Sequence, residues 1–455
     1  MNKKIIIVIV AVVILAGAAI WYFAGRPGIQ EIFSPTAVSP VEKSTESVAS
    51  VGWSTAANEE QAVGEAVATV LGELKKNPDF AFVYCASGYQ EEKVLAEVRR
   101  LLPQTKIIGG NSGYGVMTTG GYFWNPVAAQ SIGVLGVASP KITWGVGIVP
   151  VEGISSREAA KQAVLAAIKN AGKKETDKPQ LIFSVPSFGI GVENVLKGIA
   201  DAVGGDIPVF GAYSVDKGAA GDWRTFANDT IYHDAAAIAV VYTDLKVGYF
   251  REHGFEVTEK GGTVTKVDKN RLIEIDGRPA AEVYNELTGG IFEQEIKDPA
   301  KADVSKTRLK SVLSPLAKVL RVPGGEPFYI PALLVKILPD LSLDIDVALE
   351  AGDELRVMRG DWEILLSRLR TTPEKAMTKF KIDKEKVLFA FDSFCCGTHY
   401  VIPATERLKS PEILKEAIGN VPFIVTCACG IQTPEPSIGN IYTSLGNGIL
   451  IFSEE

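Results

Sequence analysis

Two stretches of this sequence decide its fold, Phe82-Val-Tyr-Cys-Ala-Ser-Gly88 and Phe183-Ser-Val-Pro-Ser-Phe-Gly189. They lie 101 residues apart, and each overlaps a short apolar run, residues 80–84 and 181–185, which predicts a buried strand. Similarity that recurs at a constant offset indicates a duplicated structural unit. The fold prediction therefore starts from a repeat.

The two copies have the same predicted order of elements. A Ser/Gly turn follows each strand, and apolar residues then recur at helical spacing. These residues are Val94, Leu95, Val98 and Leu102 in the first copy, and Val195, Leu196, Ile199 and Val203 in the second. A second short strand follows at 106–108 and 207–210, where the same offset pairs Gly110 with Gly211. Short links between strand, helix and strand predict a parallel pair with a right-handed crossover.

A third copy is suggested near the C-terminus. Phe389-Ala-Phe-Asp-Ser-Phe394 aligns its Phe, Ser and Phe with residues 183–188, and residues 411–418 have a helical pattern. Chance similarity between two buried strands is the alternative. We predict an α/β fold in which duplicated strand–helix–strand units form a mainly parallel central sheet, followed by a mixed α/β C-terminal half.

Composition limits the class of protein. Hydrophobic residues make up 46% of the 455 residues and charged residues 22%, which is typical of globular proteins. The formal net charge is −7, and phosphate binding needs clustered Lys and Arg. We therefore expect no nucleic-acid partner.

The N-terminus predicts a membrane segment. Lys3 and Lys4 precede an uncharged run at residues 5–23, which is long enough to approach the span of a bilayer core. A cleaved signal peptide, with small residues at 16–18, is the alternative. The excess of basic residues before the run predicts a single-pass protein of the cell membrane with an extracytoplasmic body.

The expected organisation has four parts. They are an anchor at 1–27, a tether at 28–50, a repeat domain at 51–245 and a C-terminal domain at 246–455.

Several short motifs resemble the FIST domain family. Gly52-Trp-Ser-Thr-Ala-Ala57 lies ahead of a predicted helix at 59–71, and the glycine motifs Gly109-Gly-Asn-Ser112 and Phe210-Gly-Ala212 follow. Leu272-Ile-Glu-Ile-Asp-Gly277 is similar to the start of the family's C-terminal half. The resemblance implies a sensory domain for signal transduction that binds a small molecule such as an amino acid, without a cofactor.

The strand ends are the expected ligand site, because ligands of parallel sheets bind beyond the carboxyl ends of the strands. Glycine lets the backbone approach a ligand, and serine offers hydroxyl contacts. The candidates are Ser87, Gly88, Gly110, Asn111, Ser112, Ser187, Phe188, Gly189, Gly211, Tyr213 and Ser214. Ordinary turns are the alternative.

Four cysteines and a histidine cluster in the predicted third copy. They are Cys395, Cys396, His399, Cys427 and Cys429. Thiolates and imidazole suit a soft metal, but the spacing is not that of a Cys-x2-Cys site, so we expect no metal. A disulfide between the two groups and plain buried cysteines remain open.

Catalytic motifs are not evident, and we expect no enzymatic activity. The sequence lacks a G-x-S-x-G elbow, a P-loop and an H-E-x-x-H helix. One alternative is a thiol- or metal-dependent enzyme with Cys396 as nucleophile and His399 as base. Another is a structural surface protein, for which the strand ends would be packed and filled.

Overall fold

A computed structural model describes residues 45–123, 129–322 and 324–454, and the chain from Lys43 to Glu455 forms one compact unit. Within the described residues, no helix has both the length and the apolar character that a membrane crossing needs. The predicted single-pass membrane localisation is corrected and not retained. The predicted anchor, residues 5–23, lies outside the described residues.

The first repeat alternates strands with helices and ends in a hairpin and a return strand. Its elements are β1 (Val48–Ser54), α1 (Glu59–Leu74), β2 (Phe80–Cys85), α2 (Glu91–Leu101), β3 (Lys106–Asn111), β4 (Val116–Thr118), β5 (Gly121–Phe123) and β6 (Ile132–Ala138). Helix α1 begins where the Asn58 side chain accepts a hydrogen bond from the Gln61 backbone N–H at 2.9 Å. Residues 48–50, predicted as tether, belong to β1.

The second repeat has the same order of elements. They are β7 (Ile142–Pro150), α3 (Ser156–Asn170), β8 (Leu181–Pro186), α4 (Val192–Val203), β9 (Val209–Ala212), β10 (Thr225–Ala227), β11 (Thr230–Tyr232) and β12 (Ala235–Thr243). Strands β2 and β3 are parallel, and so are β8 and β9. The prediction of a duplicated unit with parallel strands is confirmed.

The third repeat follows the same order, interrupted after its first strand by a long insertion. Its elements are β13 (Lys246–Glu252), α8 (Trp362–Phe380), β22 (Val387–Cys395), α9 (Cys396–Val401), α10 (Ala404–Arg407), α11 (Ser410–Ile418), β23 (Phe423–Ala428), β24 (Ile431–Glu435), β25 (Gly439–Thr443) and β26 (Asn447–Ser453). A 3-10 turn at Lys384–Lys386 precedes β22. Strands β22 and β23 are parallel.

The insertion between β13 and α8 forms a separate sheet with short helices. Its strands are β14 (Glu256–Asp268), β15 (Arg271–Ile275), β16 (Arg278–Pro279), β17 (Leu316–Leu320), β18 (Phe328–Ala332), β19 (Leu334–Ile337), β20 (Leu343–Ile345) and β21 (Glu354–Arg359). Its helices are α5 (Ala280–Leu287), α6 (Glu293–Lys297), a 3-10 turn (Pro299–Lys301) and α7 (Val304–Leu313). A hairpin around Lys269-Asn270 joins β14 to β15.

Each repeat completes the sheet of another repeat. The strand orders are β1-β6-β2-β3-β10-β11, β25-β24-β9-β8-β12-β7 and β13-β26-β22-β23-β4-β5. The hairpin β4–β5 of repeat 1 therefore extends the sheet of repeat 3, β10–β11 of repeat 2 extends that of repeat 1, and β24–β25 of repeat 3 extends that of repeat 2. The exchange is cyclic and closes the three repeats into a ring.

The prediction of a mainly parallel central sheet is wrong. Each repeat contributes one parallel pair, and the other strand pairs are antiparallel. The return strands β6, β12 and β26 lie in the interior of their sheets, and the exchanged hairpins flank the second parallel strand. Sequence patterns within one repeat identify the crossover but not these neighbours.

Three phenylalanines mark the centre of the ring. Phe82, Phe183 and Phe391 are fully buried, and their ring centroids are 4.9, 4.7 and 5.3 Å apart in the three pairings. Each burial stabilises the fold by about 2–3 kcal/mol. The alignment of the third copy on Phe389 is therefore two residues out of register, because Phe391 is the counterpart of Phe183.

A similar shift affects the glycines of the second strand. An added Cβ at Gly109 would lie 1.7 Å from the Val83 carbonyl oxygen, and one at Gly211 would lie 2.0 Å from the Ser184 carbonyl oxygen. Val83 and Ser184 differ by the 101-residue offset. Gly109, rather than Gly110, is thus the counterpart of Gly211.

Candidate functional site

The first strands of the three parallel pairs end at equivalent loops. The N–H groups of Ala86, Ser187 and Cys395 donate to backbone carbonyls of residues 131, 235 and 446, at 2.9, 2.9 and 3.1 Å. The next residues form what we call the strand-end face, which consists of Ser87–Gly88, Phe188–Gly189 and Cys396–Gly397. This register aligns the three loops residue by residue.

Hydrogen bonds between repeats use two of the candidate hydroxyls. Ser214 Oγ accepts from the Asn111 backbone N–H, and Ser112 Oγ accepts from the Cys427 backbone N–H, both at 2.8 Å. Both serines are fully buried. Their oxygen atoms fix the cyclic arrangement of the repeats.

The predicted site residues divide by exposure. Ser87 and Phe188 are half-buried, and Gly88 and Gly189 are exposed. The other candidates are buried: Gly110, Asn111, Ser112, Ser187, Gly211, Tyr213 and Ser214. The structure brings all of them to the ends of β2, β3, β8 and β9, but only the first four reach the surface.

Asn111 links a buried carboxyl group to the second repeat. Its Nδ2 donates to Glu91 Oε1 at 2.7 Å, and its Oδ1 accepts from the Arg224 backbone N–H. Burial raises the pKa of Glu91, while the hydrogen bond from Asn111 acts in the opposite direction. Asn111 thus holds a structural contact between repeats.

Arg224 lies at the rim of the strand-end face. Its guanidinium lies 3.3 Å from Glu92 and 3.4 Å from Asp222, and its side chain is 25% exposed. Sequence reasoning missed Arg224, since the exchanged hairpin brings it to β3 from another repeat. The extra residues around 221–223, which interrupt the repeat offset, were the available signal.

Aromatic side chains wall one side of the face. Phe188 contacts Tyr213 and Trp223 edge-to-face, with centroids 5.3 and 5.5 Å apart, and Tyr213 contacts Tyr442 at 5.4 Å. Such pairs contribute roughly 0.5–1.5 kcal/mol each beyond their buried area. They hold Phe188 beside the exposed loop glycines.

The C-terminal cysteines do gather at this face. Cys396 and Cys427 share a buried cluster with Tyr114 and Val215, and Cys429 packs against it. The five cysteines of the chain are all free thiols. Burial raises the pKa of Cys395 to about 12, and burial also holds the pKa of Cys396 well above its ordinary value. These thiols are therefore protonated at neutral pH.

Metal binding by this cluster gains no support. In residues 45–123, 129–322 and 324–454, no group of three or more His, Cys, Asp or Glu side chains is placed to hold a metal ion. The cluster of Cys395, Cys396, His399, Cys427 and Cys429 is thus packed as side chains rather than arranged as ligands.

His399 is engaged with a tyrosine. Its Nε2 lies 2.7 Å from the Tyr122 hydroxyl, and burial lowers the pKa of His399 to about 3. A cavity of about 20 Å³, lined in part by Tyr122, His399 and Cys427, lies beside it. That volume corresponds to about one water molecule. His399 and the Cys396 thiol are both neutral at pH 7, unlike an activated thiolate–imidazolium pair.

The buried carboxyl group of Asp392 should make the free energy of unfolding depend on pH. Burial raises its pKa to about 8, against weaker opposite effects of Asn447 and Arg368. In the unfolded chain the pKa is about 4, so between pH ~4 and ~8 the native state retains a proton that the unfolded chain releases. The contribution of Asp392 to the free energy of unfolding is therefore full below pH ~4 and falls as the pH rises through ~8.

We expect Asp392→Asn to flatten this pH dependence by several kcal/mol, at about 1.4 kcal/mol per unit of pKa difference. Urea unfolding of both proteins from pH 4 to 9 measures it. If the free energy of unfolding changed equally with pH in both proteins, Asp392 would not be the group that holds the proton.

Comparison with known proteins gives a family match over part of the chain. Residues 79–278 match the FIST N domain, which supports assignment to the FIST family. FIST domains are sensory domains of signal transduction, so this match is consistent with a ligand-binding sensory role. The match does not extend to a FIST C-terminal domain. A comparison with curated proteins gives no match.

Solved structures show a distant likeness to hydrolases. The cyanuric acid hydrolase from A. caulinodans is 10% identical, with a TM-score of 0.38, over 90% of this chain and 100% of that chain. A second cyanuric acid hydrolase structure is 8% identical, with the same TM-score and the same coverage. The expectation that the chain has no enzymatic activity is corrected and not retained. A likeness at this level indicates no reaction and no substrate for this chain.

Proposed function

We propose that residues 45–455 form a sensory domain that binds a small polar metabolite, such as an amino acid, at the strand-end face. The observation that carries the proposal is that one segment of repeat 2 contacts both exposed loops. The Lys217 N–H donates to Ser87 Oγ at 3.4 Å, and the ring of Trp223, which precedes Arg224, lies 5.5 Å from that of Phe188. The match of residues 79–278 to a sensory domain family supports the same role.

The charges at the rim suit a zwitterion. Arg224 can pair with a ligand carboxylate, and Asp222, whose side chain is 76% exposed, can meet an amine. Asp216 is less suited, because its carboxylate accepts hydrogen bonds from the backbone N–H groups of Ala220 and Asp222. Phe188 would cover an apolar portion of the ligand.

A purely structural role is the second candidate, and one observation favours it. Most of the predicted site residues are buried and hydrogen-bonded within the protein, as for Ser187, whose Oγ lies 2.9 Å from Thr225 Oγ1. Because protein side chains fill the strand ends, a ligand could bind only at the rim of the strand-end face. Ligand binding at the rim therefore distinguishes the two roles.

An amino-acid panel tests the proposal. Native-state binding raises the unfolding midpoint, so thermal unfolding of the full chain with each amino acid should identify a stabilising ligand. Arg224→Met should weaken the apparent affinity roughly tenfold or more, since it removes a charge-assisted contact. Isothermal titration with the identified amino acid measures the loss.

Arg157→Met is the matched control. Arg157 also forms an ion pair, with Asp201 at 2.6 Å, but it lies in helix α3 and not in a strand-end loop. The affinity of the Arg157→Met protein for the identified amino acid should equal that of wild type. Two results would favour the structural role. One is that no amino acid of the panel stabilises the chain, and the other is that both variants lose the same affinity for the amino acid.

A further inference from the structure

Arg251 stands where the other two repeats have apolar side chains. Trp53 of β1, Ile148 of β7 and Arg251 of β13 occupy the same register position opposite β6, β12 and β26. All three lie on the strand that precedes the first helix of the repeat. Repeat 3 thus buries a guanidinium at a position that is otherwise hydrophobic.

A second position changes together with the first. Phe123, Tyr232 and Thr443 are equivalent, because each pairs with the first residue of the preceding hairpin strand. In repeat 1, Trp53 stacks on Phe123 with ring centroids 3.5 Å apart. Repeat 3 has an arginine and a threonine at these two positions.

Both polar side chains are buried without partners. Arg251 is 9% exposed and Thr443 is fully buried. Across the described part of the chain, no hydrogen-bond partner reaches Nε or Nη1 of Arg251, or Oγ1 of Thr443. A buried charge without a partner is costly, because the protein does not replace the water that solvated it. The ring of Phe328, from the insertion, lies 4.9 Å from the guanidinium.

Within the described residues, neither of the two nearby carboxylates, Glu252 and Glu435, forms an ion pair with Arg251. The Glu252 carboxylate accepts hydrogen bonds from Thr371, Thr372 and Lys375 on helix α8. Glu435 forms no ion pair with Arg251 within the residues that the structure describes, although its charge acts on that group. The guanidinium therefore lacks a protein counter-ion at contact distance.

A cavity lies along strand β13, at Tyr249 rather than at Arg251 itself. It has a volume of about 350 Å³ and is lined in part by Tyr249, Lys379 and Glu435. Tyr249 precedes Arg251 by two residues and shares its face of β13. The volume lies within the range of small-molecule sites.

We propose that Arg251 and Thr443 form a buried anion site that takes a small carboxylate. The unpartnered atoms Nε and Nη1 are hydrogen-bond donors, and the threonine hydroxyl can donate as well. A carboxylate supplies acceptor oxygen atoms and the opposite charge in one small group. This site is separate from the strand-end face and does not depend on the function proposed there.

Acetate is the probe, and a substitution copied from repeat 1 is the test. The double variant Arg251→Trp, Thr443→Phe replaces the polar pair by the stacked pair of Trp53 and Phe123, so it removes the site while keeping the positions filled. In wild type, acetate at constant ionic strength should raise the unfolding midpoint saturably. The double variant should fold and lose that response, and Arg251→Lys should weaken it roughly tenfold.

Arg321→Gln controls for the loss of one positive charge. Arg321 is 71% exposed and pairs with Glu354, so its removal should leave the acetate response unchanged. Three outcomes would overturn the proposal. They are no saturable response in wild type, the same response in the double variant, and a sulfate response equal to that of acetate, which would exclude selection for carboxylate.

Discussion

Gly211→Ala is expected to prevent stable folding. The new methyl carbon would lie 2.0 Å from the Ser184 carbonyl oxygen, which belongs to the backbone of the neighbouring strand and cannot rotate away. Gly109→Ala should act in the same way, because its methyl carbon would lie 1.7 Å from the Val83 carbonyl oxygen. We expect a loss on the order of 4 kcal/mol or more, at the upper end for point substitutions.

Gly72→Ala provides the control. Gly72 lies in helix α1 with no atom within 4 Å of an added Cβ, so alanine should stabilise the chain by about 0.5–1 kcal/mol. Urea unfolding of the three variants measures the differences. A Gly211→Ala protein with the wild-type midpoint would contradict the close packing of β8 and β9. Gly211 makes room for the Ser184 carbonyl oxygen of the neighbouring strand.

Arg368→Met should be the most damaging substitution on helix α8. Arg368 is 1% exposed, and its Nη1 donates to the carbonyl oxygens of His253 at 2.9 Å and Leu445 at 2.7 Å. Its Nη2 donates to Thr398 Oγ1 at 2.8 Å, which connects α8 to helix α9. Each buried carbonyl left without a donor costs about 1–3 kcal/mol, so the total loss should be several kcal/mol.

Arg370→Met tests whether this effect depends on burial. Arg370 lies two residues further along the same helix, its side chain is 50% exposed, and it pairs with Glu416. Exposed ion pairs contribute about 0–1 kcal/mol, so the control should stay near wild type. Chemical denaturation followed by circular dichroism compares the two variants. Equal destabilisation would show that the internal hydrogen bonds of Arg368 contribute little.

The sequence predicted the repeated unit because both signals are local. Apolar runs and helix-spaced residues lie within a single unit, and β2–α2–β3 and β8–α4–β9 follow them. The third copy was harder to align, because Phe389 and Phe391 both face the core and only the contact with Phe82 and Phe183 distinguishes them. Strand neighbours could not be predicted, since β4 pairs with β23 across roughly 300 residues of chain.

The sequence predicted which loops lie at the strand ends but not the contacts that their residues make. The strand-end rule brings Ser87, Phe188 and Cys396 to equivalent loops. The rule does not predict which hydroxyl groups already form hydrogen bonds within the protein. Ser112 and Ser214 accept hydrogen bonds from backbone N–H groups of other repeats. Such contacts depend on how the repeats close, which no motif within one repeat encodes.

The cyclic exchange of hairpins has a consequence for the order of folding. Repeat 1 cannot finish its own sheet without β10–β11, and its hairpin β4–β5 pairs with β23 near the C-terminus. During synthesis, which proceeds from the N-terminus, that hairpin has no partner until almost the whole chain has emerged. An open array of repeats can add units one at a time. Here the last repeat supplies the closing contacts for the first, so a chain truncated before β23 leaves backbone groups of β4 without their neighbours.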